Sequence, residues 1–136
     1  MYNVPIAIVG FYTGLCGLIL LWLTVATVKL RGKYKISLGD GGNAHMQRIM
    51  RGHVNAIENM AIILILLLIM AALNTPVYVL HGFGIAIVVS RAMHAHHFIQ
   101  EDAARWTRFY SSVATVTILL LASIGLIGHS LATMLG

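Results

Sequence analysis

Ionisable side chains are scarce in this chain. Nine Lys and Arg and four Asp and Glu among 136 residues leave it 10% charged, where a soluble domain carries about 25%. That deficit excludes a water-facing globular surface and points to an integral membrane protein. Cysteine is nearly absent too. Cys16 stands alone, so no intrachain disulfide forms, and its sequence neighbours are Leu15 and Gly17, with no cation to activate a thiol. It reads as a small packing residue. Proline is limited to two residues, one of them in "NTP" (74–76), a break between apolar runs. No low-complexity segment or internal repeat stands out.

The sequence is 59% hydrophobic, gathered in four stretches at roughly 4–28, 56–73, 76–98 and 109–135. A spanning helix needs about 20 residues, so four spans consume nearly the whole chain. The expectation is an all-α membrane protein, residues 1–136 forming a single four-helix transmembrane domain. The first stretch begins "MYNVP", without the basic lead of a signal peptide, and reads as a retained helix. "SLGDGGNAH" (37–45) reads as a turn before the second helix. Gly10 and Gly14, and Gly125 and Gly128, are small residues at spacings that suit helix packing.

A net charge of +5 does not indicate nucleic-acid binding, because of where it falls. Lys29, Arg31, Lys33, Lys35, Arg48 and Arg51 surround the first connection, and Arg91, Arg105 and Arg108 the third. In a four-helix serpentine these two connections share one side, which the positive-inside rule makes cytoplasmic, with both termini outside. The acids Asp40, Glu58, Glu101 and Asp102 fall on that side as well.

Polar residues there share helix faces. With the helical period applied from Arg48, the residues Arg51, Asn55, Glu58 and Asn59 fall with it inside one arc of about 100°. His53 falls on the other side of the helix, and Gly52 flanks the stripe and leaves room beside it. On the third helix Arg91, His94 and Phe98 share a face. The run "HAHH" (94–97) resembles a metal site, but adjacent helical histidines diverge and zinc needs three or four converging ligands. No metal is expected. Arg105, Arg108, Ser112 and Thr115 share a face at the start of the fourth helix, whose dipole favours anions. Each arginine alone reads as an interfacial anchor. Glu58 and Arg91 lie inside spans, where ionisable residues face the bundle interior and mark function. Together they describe a pocket for a small polyanion with one cationic group, such as glutathione.

"RIMRGHVNAIEN" (48–59), with Arg51, His53, Asn55 and Glu58 as R-x-H-x-N-x-x-E, resembles the second-helix signature of the MAPEG family, the membrane-associated proteins in eicosanoid and glutathione metabolism. "VKLR" (28–31), "GDGGN" (39–43), "R-x-x-H" (91–94) and the arginine-led fourth helix are similar in the same order, small bacterial members included. The resemblance implies a bacterial inner-membrane homotrimer with glutathione as cofactor, held between neighbouring subunits. Arg51, Asn55 and Glu58 then bind the tripeptide, Lys29 of the next subunit meets a carboxylate, and Arg91 and His94 line the site. Arg108 stabilises the thiolate, with Arg105 the alternative, and Asp40 orients that arginine. The sequence departs from its relatives at Ala61, where many have proline, at Phe98, where a tyrosine is usual, and at Val54, where some have a basic residue.

The leading expectation is a glutathione transferase or peroxidase acting on lipophilic small molecules that enter from the membrane. A free thiol has a pKa near 8.5, and a guanidinium within reach lowers it. The alternative is a non-catalytic membrane protein binding an anionic ligand or lipid head group through Lys29, Arg31, Lys33 and Lys35. A transporter fits poorly, because no inverted repeat is present.

Overall fold

The computed structural model describes residues 4–136 and contains four helices: α1 (Val4–Tyr34), α2 (Ala44–Ala72), α3 (Val77–Ile99) and α4 (Arg105–Leu135). All four are long and apolar enough to cross a membrane, so the chain is an all-α, multi-pass four-helix bundle. Met1, Tyr2 and Asn3 of the opening "MYNVP" lie outside the described residues. The helices outrun the apolar stretches. α2 begins twelve residues before 56, and α1 continues six residues past 28. At about 1.5 Å per residue, 31 residues reach about 46 Å, well beyond a hydrocarbon core of about 30 Å. Apolar composition marks only the lipid-embedded part of each helix.

The turns have local causes. α1 stops where Lys35 takes a left-handed conformation (φ 55°), and Ile36 N–H then donates to Arg31 O at 3.0 Å, closing the last turn on itself. α2 ends the same way: Asn74 is left-handed (φ 57°) and Thr75 N–H donates to Met70 O at 3.0 Å, after which Pro76 opens α3. In the first connection Gly41 and Gly42 both have positive φ, which a β-carbon disfavours. Asp40 Oδ1 accepts from Gly42 N–H at 2.9 Å, and Asn43 caps α2 by accepting from Met46 N–H at 2.9 Å.

Each helix buries a stripe at spacings of three and four. On α2 the stripe is Met46, Ile49, Gly52, Ala56, Met60, Ile63, Leu67 and Met70. α2 and α3 touch each other and both outer helices, whereas α1 and α4 make no contact among the described residues. The core is therefore the α2–α3 pair, flanked on opposite sides. Its tightest points are at glycine. A β-carbon on Gly84 would overlap the ring of Tyr12, and one on Gly52 would lie 2.5 Å from Phe98 Cβ. By contrast, a β-carbon on Gly10, Gly14, Gly125 or Gly128 meets nothing within 4 Å. Those four were expected to pack helices together, yet none does so within this protomer; they lie on faces no other helix of the chain covers.

Cys16 is buried in the core, at 1% exposure.

At the uncharged end Tyr12 OH pairs with His81 Nδ1 at 2.9 Å, joining α1 to α3, and Thr75 Oγ1 pairs with His129 Nδ1 at 3.3 Å, joining α4 to the α2–α3 turn. At the other end His45 Nε2 bonds Ile99 O at 2.9 Å, which brings the two basic connections together. Gly84→Ala is expected to lower stability by about 1–3 kcal/mol by overpacking against Tyr12. Gly82→Ala, whose β-carbon meets nothing, is expected to be neutral or slightly stabilising through better helix propensity. Thermal unfolding of both variants in detergent checks the contrast.

Candidate functional site

One residue along from the buried seam of α2 runs its polar stripe. Arg48, Arg51 and Asn55 precede Ile49, Gly52 and Ala56 by one position each, so they emerge beside the α2–α3–α4 contact instead of within it. They open into a cavity of about 700 Å³, within the usual range for small-molecule sites. α2 contributes Gln47, Arg48, Met50, Arg51, Val54, Asn55 and Glu58; α3 contributes His94 and Phe98; α4 contributes Arg108 and Ser112; Asp40 approaches from the first connection. No residue of α1 lines it.

Six of the nine residues expected to form the site therefore converge: Asp40, Arg51, Asn55, Glu58, His94 and Arg108. The other three do not. Arg91 was expected to line the site, but it is 2% exposed and sits behind Asn55, donating from Nη1 to Asn55 Oδ1 at 3.0 Å. Arg105 lines a separate depression with Glu101 and Asp102, because it opens α4 nearly a full turn before Arg108, beside the connection that carries those acids. Lys29, expected to reach the site from a neighbouring subunit, is exposed on α1, which forms none of this protomer's cavity wall.

Two further expectations need correction. Glu58 was expected to be buried, whereas it is exposed on the cavity side of α2, since α1 packs the other face and nothing in this protomer covers it. Asp40 was expected to orient an arginine, yet the bond found for its carboxylate is the one to Gly42 N–H. Among the described residues none of Arg51, Arg108, Glu58 and Asp40 takes part in an ion pair. The cavity thus offers unspent cations and unspent carboxylates side by side.

Phe98 organises this wall. Its ring lies over Gly52, with the Arg48 guanidinium 6.0 Å and the Arg108 guanidinium 5.8 Å from its centroid, both within cation–π range. His94 stacks on the same ring at 4.7 Å. Gly52, placed beside the stripe by helical projection, admits this ring. Gln47, Arg48, Met50, Val54 and Ser112 were not among the expected site residues. Arg48 and Ser112 carried a signal, since both share an arc with residues that were.

The histidines of "HAHH" go separate ways: His94 to the cavity, His96 to an exposed position near Trp22 at 6.4 Å, and His97 into the α2–α4 contact. Behind the cavity, Arg91 Nε is buried without a partner, so Asn55 is the hydrogen-bond acceptor of a buried cation. Asn55→Ala is expected to cost about 1–3 kcal/mol by stranding that guanidinium. In an Arg91→Met background the same change is expected to cost under about 0.5 kcal/mol, a coupling that a double-mutant cycle of thermal unfolding reads directly.

The comparisons with known proteins agree with this architecture. The inner membrane protein YecN of Escherichia coli K12 is 31% identical over 112 residues, covering 82% of this chain and 85% of that protein. The protein of that name in Escherichia coli O6:H1 matches to the same extent. No solved structure matches the chain. Residues 9–128 match the MAPEG family, which takes in all of α2 and α3, every residue lining the cavity and most of α1 and α4: the chain belongs to the MAPEG family.

Proposed function

We propose that this chain is a glutathione transferase or peroxidase of the inner membrane. One observation carries the reading: Arg51, Glu58 and Arg108, from two helices, meet in one cavity with their charges unspent. Glutathione has the matching set of two carboxylates, an ammonium and a thiol. In this reading Arg51 and Arg48 take carboxylates, Glu58 takes the ammonium, Asn55 hydrogen-bonds the peptide, and Arg108 faces the sulfur. The presence of Arg108 in the cavity and of Arg105 outside it favours Arg108 for that role.

The chemistry needs no protein nucleophile. The thiol gives its proton to water, and the thiolate, held by a guanidinium, attacks an electrophilic carbon and expels a leaving group. With a hydroperoxide the thiolate attacks the terminal oxygen instead, and a second glutathione completes the disulfide, leaving alcohol and water. A cavity wall at the ends of apolar helices lets a lipophilic substrate arrive from the bilayer while the water-soluble thiol arrives from the cytoplasm.

A homotrimer fits this reading. The cavity has no α1 residue, Glu58 is uncovered, and the family resemblance supplies Lys29 from a neighbouring copy. Residues 1–136 then act as one domain, with the basic connections cytoplasmic. Inner-membrane placement draws on the Escherichia coli relative, an inner membrane protein. A second reading, anion or lipid-head-group binding without turnover, draws on the exposed Lys29, Lys33 and Lys35 and on Phe98, which offers no hydroxyl.

Titrating the purified protein with glutathione while following thiolate absorbance tests the two. Wild type is expected to ionise the thiol at least about one pH unit below its free value near 8.5, and Arg108→Ala to return it there, about 1.4 kcal/mol per unit. Glu58→Gln is expected to weaken glutathione binding at least about tenfold. Absence of a thiolate signal at every pH sinks the enzyme reading. For orientation, Ser37→Cys, on the exposed first connection, is expected to react with an impermeant maleimide in inverted vesicles and not in intact spheroplasts.

A further inference from the structure

His97 lines no part of the proposed glutathione cavity, yet both of its ring nitrogens are engaged. It is 5% exposed. Arg48 Nη2 lies 3.0 Å from His97 Nε2. A guanidinium only donates, so Nε2 accepts, and the neutral ring carries its proton on Nδ1. Nδ1 lies 2.7 Å from Thr107 Oγ1. The single hydroxyl proton of Thr107 goes to Ala104 O at 2.6 Å, so Oγ1 is left to receive the Nδ1 proton. Nη2 of Arg48 also donates to His97 O at 2.8 Å, and Nη1 donates to Glu101 O at 3.3 Å. This tautomer gives each of these bonds one donor and one acceptor, whereas the other sets two donors facing each other; the Nε of Arg48 itself stays buried without a partner.

The two ends of that chain matter for the site. Arg48 belongs to α2 and Thr107 to the first turn of α4, directly before Arg108. Arg48, Arg108 and Ser112 line both the cavity and a second depression of about 830 Å³ beside it, so they form the partition between the two. Among the described residues neither guanidinium is held by a carboxylate. Both lean on the Phe98 ring, a contact that sets distance more than direction. Among the described residues, the side-chain bonds that link α2 to α4 itself at this end pass through His97, while Arg48 Nη1 reaches the connection before α4 at Glu101 O.

We infer that His97 is a positioning residue, whose Nδ1-protonated ring ties the Arg48 guanidinium to the first turn of α4 and thereby sets where Arg108 stands in the cavity wall. Its chemical consequence rests on the glutathione reading above; the tie itself does not. His97 never touches the ligand. It fixes the spacing of the two cations between which a thiolate and a carboxylate of one tripeptide would be shared.

Two measurements on the full chain in detergent test this. Nitrogen-15 histidine spectra, with His97 identified by its loss in His97→Asn, are expected to show Nδ1 protonated and Nε2 accepting; a ring protonated on Nε2 overturns the inference. In the thiolate titration, His97→Phe and Thr107→Val are each expected to raise the pH of glutathione ionisation by about one unit, an approximately tenfold loss of thiolate below that pH. KM for glutathione is expected to change less than about threefold, and His97→Asn, which keeps a donor for Thr107, to lie nearer wild type than His97→Phe. Wild-type ionisation in either folded variant, Thr107→Val serving if His97→Phe does not fold, overturns the inference. Should wild type ionise no glutathione at all, the glutathione reading falls, and the ring tautomer alone then upholds or overturns the tie between Arg48 and α4.

Discussion

Hydrocarbon offers no hydrogen bonds, so a charged side chain carried into a spanning helix needs a partner on another helix or an opening into a cavity. This chain meets that constraint at the α2–α3 contact. Arg91 is wholly enclosed and donates to Asn55, while Arg51 and Glu58 on the neighbouring face of α2 open into the cavity. The side chain of Asn55 joins the two arrangements, facing a buried cation on one side and lining the cavity on the other. A replacement there disturbs both the core and the site.

The contact is close because of Gly52. The Phe98 ring takes the space a β-carbon would fill, and from that position it meets the guanidiniums of both Arg48 and Arg108. A tyrosine at this position would bring a hydroxyl to the wall, whereas phenylalanine brings only the face and edge of a ring. The partition consequently relies on cation–π contact and on bonds from the neighbouring His97. The Lys33–Glu101 ion pair, at 3.9 Å, lies at the exposed rim, where such pairs contribute little.

Much of this was legible before any coordinates. Four spans follow from the deficit of charge, and the stripe of Arg48, Arg51, Asn55 and Glu58 follows from the helical period, a property of one helix by itself. What escaped the sequence depends on which helix covers which face. The enclosure of Arg91 and the exposure of Glu58 are both set by the order of α1, α2, α3 and α4 around the core, while Arg105 misses the cavity because it opens α4 nearly a turn before Arg108. His97 was equally hidden, since its partners come from residues 48 and 107. The glycine pairs at 10/14 and 125/128 show the complementary limit: small-residue spacing states that something can approach, and within this protomer nothing does.

Helix α4 is fastened to the rest of the chain by side-chain hydrogen bonds near its two ends, Thr107 to His97 and His129 to Thr75. These fastenings are 22 residues apart, about 33 Å along a helix, close to the thickness of the hydrocarbon layer itself. The helix is therefore gauged to its membrane. A bilayer of mismatched thickness would load both fastenings together, and Arg108 follows directly on the first of them.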